Sequence, residues 1–407
     1  MKKLTFQHRS HHGGLTIAAI SSIFRRCGTA GSLFGVASVL ILLIFYLGQG
    51  RDGNNNNHHV GSSIEAQAQH TIGPNNTVQN SIVSLRPNRI TLGGRQVLYQ
   101  FPPNSKSSCD DHLKGVLFLY HGCTRTAMSF FYSPQGRDMM RTALLAGLAV
   151  VAFEKEGSCW SSSVDLDVSI NIGKEWMDKY LVDHCGEDCA SVNNSKMPIF
   201  GFGASSGGSF VAEVAEATKK QKKEVGNMGF QFAAINVQIM TPHVAIQTPT
   251  AFTVMNRDEF TMQGVEHTVR ELKRANVPTL LLKTQPKKIT VEYLLDRFQD
   301  DETFTKDIAE GVVNDLQQMG AIAKDGELMQ NPRSIDLDPL IAKYPKPTAG
   351  EGAYGVSSEL WEMMTPSERE DASQLWLVEE LNVAFDQHEI TNEKFGDVIE
   401  FFFSQLQ

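Results

Sequence analysis

The segment 203–207 of this 407-residue chain has the pattern best suited to chemistry, Gly-Ala-Ser-Ser-Gly. An apolar run at 197–203 predicts a strand before it, and helical spacing follows. A serine on a sharp strand-to-helix turn needs small neighbours, because its backbone is strained and the flanking residues crowd it. We therefore predict that Ser205 is a nucleophile. An ordinary glycine-rich turn with incidental serines is the alternative, and Ser206 and Ser209 are weaker candidates.

A serine hydroxyl becomes a useful nucleophile only when a base removes its proton. In a strand-turn-helix site of this kind the base follows the acid, in the chain order Ser, Asp or Glu, His. His388 stands after the last predicted strand and just before a C-terminal helix, so we predict that it is the base. His243 ends a predicted strand but precedes the acid, and His267 lies in a helical pattern.

The acid that orients the base is predicted to be Asp258, which follows a strand at 251–255. Its role would be to fix the imidazole tautomer and to stabilise the imidazolium. Glu259 ranks second, and both residues could instead cap the next helix. Asp386 and Glu389 are expected on the solvated surface around the base.

Acyl transfer also needs hydrogen-bond donors for the developing oxyanion. One donor is predicted to be the backbone N–H of Ser206, directly after the nucleophile. The other is predicted from the loop after the apolar strand Gly115–Tyr120, at Gly122 or Cys123. A glycine there lets the backbone approach a substrate closely. His121 in the same loop is predicted to be structural.

Two short strand-like runs around Gly93-Gly94 predict a hairpin, and strands then alternate with helices as far as residue 283. This order predicts an α/β protein with a mainly parallel sheet covered by helices on both faces. A hairpin followed by strand–helix units is the order expected of the α/β-hydrolase fold. Amphipathic helices are predicted at 289–298 and 306–319, a β-hairpin at 320–333, and two helices at 374–385 and 393–403.

The N-terminal stretch differs in charge from the rest. Residues 1–48 have basic and no acidic side chains, whereas the whole chain has a net charge of −9. A run of about 20 uncharged, apolar residues can span a bilayer as a helix. We predict a cytoplasmic basic head at 1–26 and a transmembrane signal anchor at 27–49, since Arg25 and Arg26 favour the cytoplasmic side. The body would then be lumenal or extracellular. A cleaved secretory signal and an organelle transit sequence are the alternatives.

Three further regions follow the anchor. A flexible, Asn- and Ser-rich tether is predicted at 50–85. The catalytic core is predicted at 86–286 and 384–407, with a mostly helical insertion or lid at 287–383. Glycosylation sequons begin at Asn75 and Asn193.

The cysteines show no CxxC pair and no Cys/His grouping at zinc spacing, so no structural metal is predicted. In a secretory setting disulfides are expected, and Cys185 and Cys189 could pair locally. No P-loop or complete dinucleotide fingerprint is present, so no cofactor is predicted. The negative net charge argues against nucleic acid as a partner.

Three segments resemble α/β-hydrolases of the polyhydroxybutyrate depolymerase and feruloyl esterase type: 121–127 (HGCTRTA), Cys159-Trp160 and 203–208 (GASSGG). The chain is also similar to uncharacterised plant and algal α/β-hydrolases, through 257–258 and 388–389. The resemblance implies that Ser205, Asp258 and His388 form a triad and that Cys123 pairs with Cys159. The inserted region departs from the depolymerase pattern, so a polymer substrate is not assumed.

Together these features predict a membrane-anchored serine hydrolase that acts on small or oligomeric carboxylic esters through an acyl-enzyme. A serine peptidase of the same fold is one alternative. A catalytically inactive, membrane-tethered binding module is the other.

Overall fold

A computed structural model of the protein describes residues 83–105, 112–185, 197–225, 230–299, 301–344 and 354–407. Its centre is an eight-stranded sheet with the strand order β1-β2-β4-β3-β5-β6-β7-β8. Strand β2 pairs antiparallel with β1 and β4, and the other pairs are parallel. The strands are β1 (Asn88–Leu92), β2 (Arg95–Gln100), β3 (Gly115–Tyr120), β4 (Leu148–Phe153), β5 (Ile199–Ala204), β6 (Phe232–Gln238), β7 (Thr250–Val254) and β8 (Thr279–Lys283).

The apolar strands are buried on both faces, as their continuous hydrophobic runs predict. In β3 the side chains of Val116 and Phe118 enter one core and those of Leu117 and Leu119 the other, because successive residues of a strand point to opposite faces. Each such side chain contributes about 1.5–3 kcal/mol when it is fully buried. The predicted hairpin and the alternating strand–helix order are both confirmed.

Helices cover both faces of this sheet. One face packs against Pro134–Leu145 and Phe395–Ser404, and the other against Ser162–Trp176, Ser206–Val225 and Glu259–Arg274. The other helical segments are Ser129–Tyr132, the π-helical turn Met177–Leu181, Val182–Cys185, Val291–Arg297, Lys306–Gln318, the 3-10 turn Pro332–Ser334, Asp338–Lys343, Ser358–Met363 and Pro366–Phe385.

The helix Pro366–Phe385, here called the bridging helix, joins the sheet to the segment before it. Its Leu375 belongs to the core on the sheet, while Leu377 and Leu381 belong to a third core formed mostly by residues 289–344. Burial on two sides explains why the sequence pattern predicts only its second half. The start at Thr365 is a capping box, in which the side chains of Thr365 and Glu368 each accept a backbone N–H at the other position.

The predicted hairpin at 320–333 is wrong in extent. The structure has an isolated antiparallel bridge between Ile322 and Leu328, with Gly326 at φ 87° in the turn between them. A Cβ at residue 326 would come within 2.6 Å of the Ile289 carbonyl oxygen, so this turn packs directly on the main chain.

No helix in the described part of the chain is both long and apolar enough to cross a membrane. The predicted head, anchor and most of the tether lie at 1–82, outside the described residues, and stay predictions. The division of the body into a core and an insertion also stays a prediction.

Candidate active site

Ser205 lies at the turn where β5 meets the helix Ser206–Val225. Its φ of 53° is in the left-handed region, which costs a residue with a Cβ about 1–3 kcal/mol. Two glycines make the turn possible. A Cβ at residue 203 would lie 2.0 Å from the Gly207 carbonyl oxygen, and one at residue 207 would lie 2.1 Å from the Tyr120 carbonyl oxygen.

The turn thus has the strained geometry of a nucleophile elbow, at the carboxyl end of the central parallel strand. The sheet order, the antiparallel β2 and this elbow occur together. The fold is that of the α/β-hydrolases.

Ser205, His388 and Asp258 come together at this edge of the sheet. The Ser205 Oγ lies 3.3 Å from the His388 Nε2, and the His388 Nδ1 lies 2.7 Å from the Asp258 Oδ2. Ser205 is separated from His388 by 183 residues and from Asp258 by 53, so only the fold brings them together. His243 and His267, the alternative bases, are exposed.

Asp258 uses its two carboxylate oxygens for different tasks. Oδ2 contacts His388, while Oδ1 accepts the backbone N–H of Thr261 and caps the helix Glu259–Arg274. Burial alone would raise the pKa of Asp258, but the hydrogen bonds from His388 and Thr261 outweigh it, so the pKa lies below its usual value. The carboxylate is therefore ionised at neutral pH. The proposed capping role and the proposed acid role coincide in one residue.

Asp386, which is fully buried, stabilises the loop that carries His388. Its Oδ2 accepts the backbone N–H of Asn256, its Oδ1 contacts the Thr284 hydroxyl, and its carbonyl accepts the N–H of Arg257. These contacts tie the loop to the ends of β7 and β8. The expectation that Asp386 lies on the solvated surface is wrong, because its carboxylate is buried against the Asn256 N–H and the Thr284 hydroxyl.

Glu389 is also buried rather than solvated, with 8% of its surface exposed. Its Oε2 accepts a hydrogen bond from the Asn382 amide and lies 3.4 Å from the Arg333 guanidinium. The His388-Glu389 pair therefore places one side chain beside Ser205 and the next inside a polar cluster.

Arg333 also donates hydrogen bonds to the loop that carries His388. Its Nη1 donates to the Gln387 carbonyl at 3.0 Å and its Nη2 to the His388 carbonyl at 2.5 Å. Asn331, two residues earlier, donates to the Gln387 side chain. His388 itself has φ 47°, so these bonds support a strained backbone. Sequence reasoning missed this role, because an arginine in an irregular segment carries no pattern that points to a distant histidine.

On the predicted roles of Ser205 and His388 in ester hydrolysis, replacing Arg333 with methionine is expected to lower kcat about 10–100-fold with a smaller change in KM, because a displaced imidazole no longer reaches the serine proton. Steady-state kinetics on a small ester measure this. Added guanidinium at millimolar concentration should restore part of the lost rate. Lys288→Met, which removes an exposed partner of Asp325, is the matched control. A variant with unchanged kcat contradicts the positioning role.

The loop after β3 lies against the elbow. A Cβ at Gly122 would be 3.7 Å from the Ser205 Cβ, so the main chain of the loop passes beside Ser205. Within the described residues, the hydrogen bonds between backbone groups do not use the N–H of Gly122, Cys123 or Ser206. Ser206 is the first residue of its helix, where an N–H has no acceptor inside the helix. The three predicted oxyanion donors therefore stay available near Ser205.

The disulfide Cys123–Cys159, which the family resemblance implied, is present. It joins the loop to the segment after β4, and the neighbouring Trp160 donates its indole N–H to the His121 carbonyl at 2.7 Å. The predicted pairing of Cys185 with Cys189 remains a prediction, because Cys189 is outside the described residues. Both sequons, at Asn75 and Asn193, also lie outside the described residues and stay predictions.

Two charged side chains after β4 support the loop from inside the protein. Glu154 accepts the backbone N–H of Ala127 at 2.8 Å, and Lys155 donates to the Arg125 carbonyl at 2.6 Å. Burial would raise the pKa of Glu154, but hydrogen bonds from His121 and Ala127 bring it below its usual value. His121 is buried among these groups, which fits the structural role predicted for it.

A cleft of about 420 Å³ opens over Ser205 and His388. The loop after β3 forms one wall and the bridging helix the opposite wall, through Val378, Glu379 and Asn382. Its volume is in the range of small-molecule sites. The described residues include no group of three or more His, Cys, Asp or Glu side chains that could hold a metal ion.

Glu379 is a carboxyl group buried in the wall of this cleft. Its Oε2 accepts the backbone N–H of Gln135 at 3.0 Å. Burial, together with the nearby Glu389, raises its pKa to about 8, although Arg125 and the hydrogen bond from the Gln135 N–H oppose the shift. Glu379 is therefore largely protonated at neutral pH.

The free energy of unfolding should depend on pH through Glu379. An unfolded chain releases this proton near pH 4.5, whereas the folded chain keeps it up to about pH 8, so stability falls as the pH rises across that window. Glu379→Gln removes the titration and should stabilise the fold by about 4 kcal/mol near pH 7.5, with little change near pH 4.5. Urea unfolding at both pH values measures this, with exposed Glu362→Gln as the control. Equal effects at both pH values would contradict it.

Comparisons with known proteins add little at the sequence level. No family model and no curated protein matches the chain. Among solved structures it is similar to a dienelactone hydrolase from Anabaena variabilis (15% identity, 50% of this chain and 88% of that one, TM-score 0.33). It is also similar to a thermostable esterase from Pseudomonas putida (12% identity, 49% and 72%, TM-score 0.34). A third is an α/β-hydrolase from a Medee basin deep-sea metagenome library (14%, 50% and 83%, TM-score 0.35). Likenesses at this level do not determine what the chain does.

Proposed function

We propose that the protein is a serine hydrolase that cleaves carboxylic esters through an acyl-enzyme. The observation that supports this most is the chain of contacts from the Ser205 Oγ through His388 to Asp258, at 3.3 and 2.7 Å, at the edge of a cleft. Nucleophile, base and orienting acid are then in mutual reach.

In the proposed reaction the Ser205 Oγ attacks the ester carbonyl carbon while the His388 Nε2 takes the hydroxyl proton. The carbonyl oxygen becomes an oxyanion, which accepts hydrogen bonds from the Ser206 N–H and from the N–H of Gly122 or Cys123. Collapse of this tetrahedral species breaks the bond to the alcohol, and His388 returns the proton to the leaving oxygen.

The second half of the reaction repeats these roles with water as the nucleophile. His388 takes a proton from water as the water oxygen attacks the acyl carbon. Collapse of this second tetrahedral species breaks the bond to the Ser205 Oγ, and His388 returns the proton to that oxygen as the acid is released. Asp258 stays ionised throughout and stabilises the imidazolium, which its low pKa favours. Ester and water are the only reactants that this scheme needs to balance its protons.

Finer placement also belongs to this proposal. The HGCTRTA, Cys-Trp and GASSGG segments favour a place near the polyhydroxybutyrate depolymerases and feruloyl esterases. The predicted N-terminal anchor would tether the hydrolase to a membrane, with its body lumenal or extracellular.

A fluorophosphonate probe tests the proposal, because it bonds covalently to an activated serine. We expect the full chain to be labelled and Ser205→Ala to lose labelling. Ser209→Ala removes a buried hydroxyl in the helix that follows Ser205. This variant is the matched control and should still be labelled. If folded wild-type protein is not labelled, the proposed function is wrong.

A further inference from the structure

Arg125 presents hydrogen-bond donors to the cleft that no residue of the described chain uses. The nearest carboxylate oxygens belong to Glu389, at 3.9 Å, and Asp371, at 4.0 Å, both beyond hydrogen-bond distance. The backbone of Arg125 is fixed by Lys155, and 24% of the arginine side chain is exposed. A guanidinium whose N–H groups have no acceptor within hydrogen-bond distance is suited to bind acceptor oxygens of a ligand.

Asn382 lies across the cleft with the complementary feature. Its amide nitrogen donates to the Glu389 Oε2 at 3.1 Å, whereas its Oδ1 is buried and lacks a hydrogen-bond partner among the described residues. The residue is 4% exposed. A buried acceptor without a partner costs stability that a ligand O–H group could recover. The cleft therefore contains both an unused donor set and an unused acceptor.

The charges around the cleft indicate that its ligand is uncharged. Arg125 and Arg333 are balanced by Asp371 and Glu389, so these four side chains bring no net charge to the cleft, which favours an uncharged ligand. A ligand carboxylate would enter a cleft with no net positive charge and would lie near Glu379 and Glu389. A hydroxyl group can accept from Arg125 and donate to Asn382 without adding charge.

We propose that the cleft binds uncharged esters that carry hydroxyl groups near the scissile bond, with Arg125 and Asn382 as the residues that select them. This inference rests on the proposed function and specifies its substrate class. The volume of about 420 Å³ is large enough for a small polyol or a single sugar ring.

Three acetate esters that share a ring and a primary leaving alcohol test the proposal on the full chain. Methyl 6-O-acetylglucopyranoside carries hydroxyl groups, cyclohexylmethyl acetate carries none, and 4-(acetoxymethyl)cyclohexanecarboxylate adds a negative charge. We expect kcat/KM for the first to exceed the other two by at least about tenfold, because each satisfied polar contact favours it.

Arg125→Met and Asn382→Leu are each expected to reduce that preference at least about fivefold, mainly through KM for the hydroxylated ester. The ratio between two esters measured on one preparation does not depend on the folded fraction, so partial misfolding cannot produce this result. Arg274→Met, at an exposed arginine paired with Glu271 outside the cleft, should keep the wild-type ratio.

Fluorophosphonate labelling of Ser205 separates the two ways in which the proposal can fail. Labelled protein that prefers the cyclohexylmethyl or the carboxylate ester, or that shows no preference, overturns the substrate class alone. Protein that is neither labelled nor hydrolytic overturns the proposed function as well.

Discussion

Replacement of His388 with alanine is expected to lower kcat/KM for ester hydrolysis by about four to six orders of magnitude. Without the imidazole the Ser205 hydroxyl has no base at its 3.3 Å contact, and no group returns a proton to the leaving alcohol. Members of such a set act as a unit, so losing one removes most of the rate that all of them provide. The remaining activity would come from the oxyanion donors and from binding alone.

Initial rates on an activated acetate ester, measured alongside thermal unfolding, check this prediction. His267→Ala is the control, because His267 is exposed on the helix Glu259–Arg274 and should keep the wild-type rate. The expected folded stability of His388→Ala is close to that of wild type, since 41% of the histidine side chain is exposed. A folded His388→Ala protein with a near wild-type rate would remove this residue from the mechanism.

Much of the fold could be predicted from the sequence because its strands are continuous apolar runs between turn residues. The two faces of β3 and the elbow at 203–207 follow from periodicity and from small residues, which are local properties. The start of the bridging helix could not be predicted in this way. Its residues are buried against two different cores, so no single apolar stripe marks it.

The site was predictable where chain order and strand ends constrain it. Ser205 follows from its flanking glycines, and Asp258 and His388 follow from their positions after strands. The surroundings of His388 were not predictable in the same way. Asp386 and Glu389 look like ordinary surface acids in the sequence, yet both are buried, because their partners come from β-strand ends and from residues 333 and 382.

Asp258→Asn is expected to lower kcat by about 10⁴-fold while leaving the fold nearly as stable as wild type. The amide can donate to the His388 Nδ1, which favours the tautomer whose Nε2 already carries a proton and cannot take one from Ser205. Asparagine caps helices about as well as aspartate, so the Oδ1 contact with the Thr261 N–H should survive.

A second substitution at the same position separates the two tasks of this carboxylate. Asp258→Ala should lose a similar share of the rate and, in addition, about 1 kcal/mol of unfolding free energy, because the cap of the helix Glu259–Arg274 is gone. Kinetics and urea unfolding on both variants measure the two effects, with exposed Glu259→Gln as the control. If Asp258→Asn keeps a rate within tenfold of wild type, Asp258 acts only as a helix cap, and the imidazole must be oriented by its backbone loop alone.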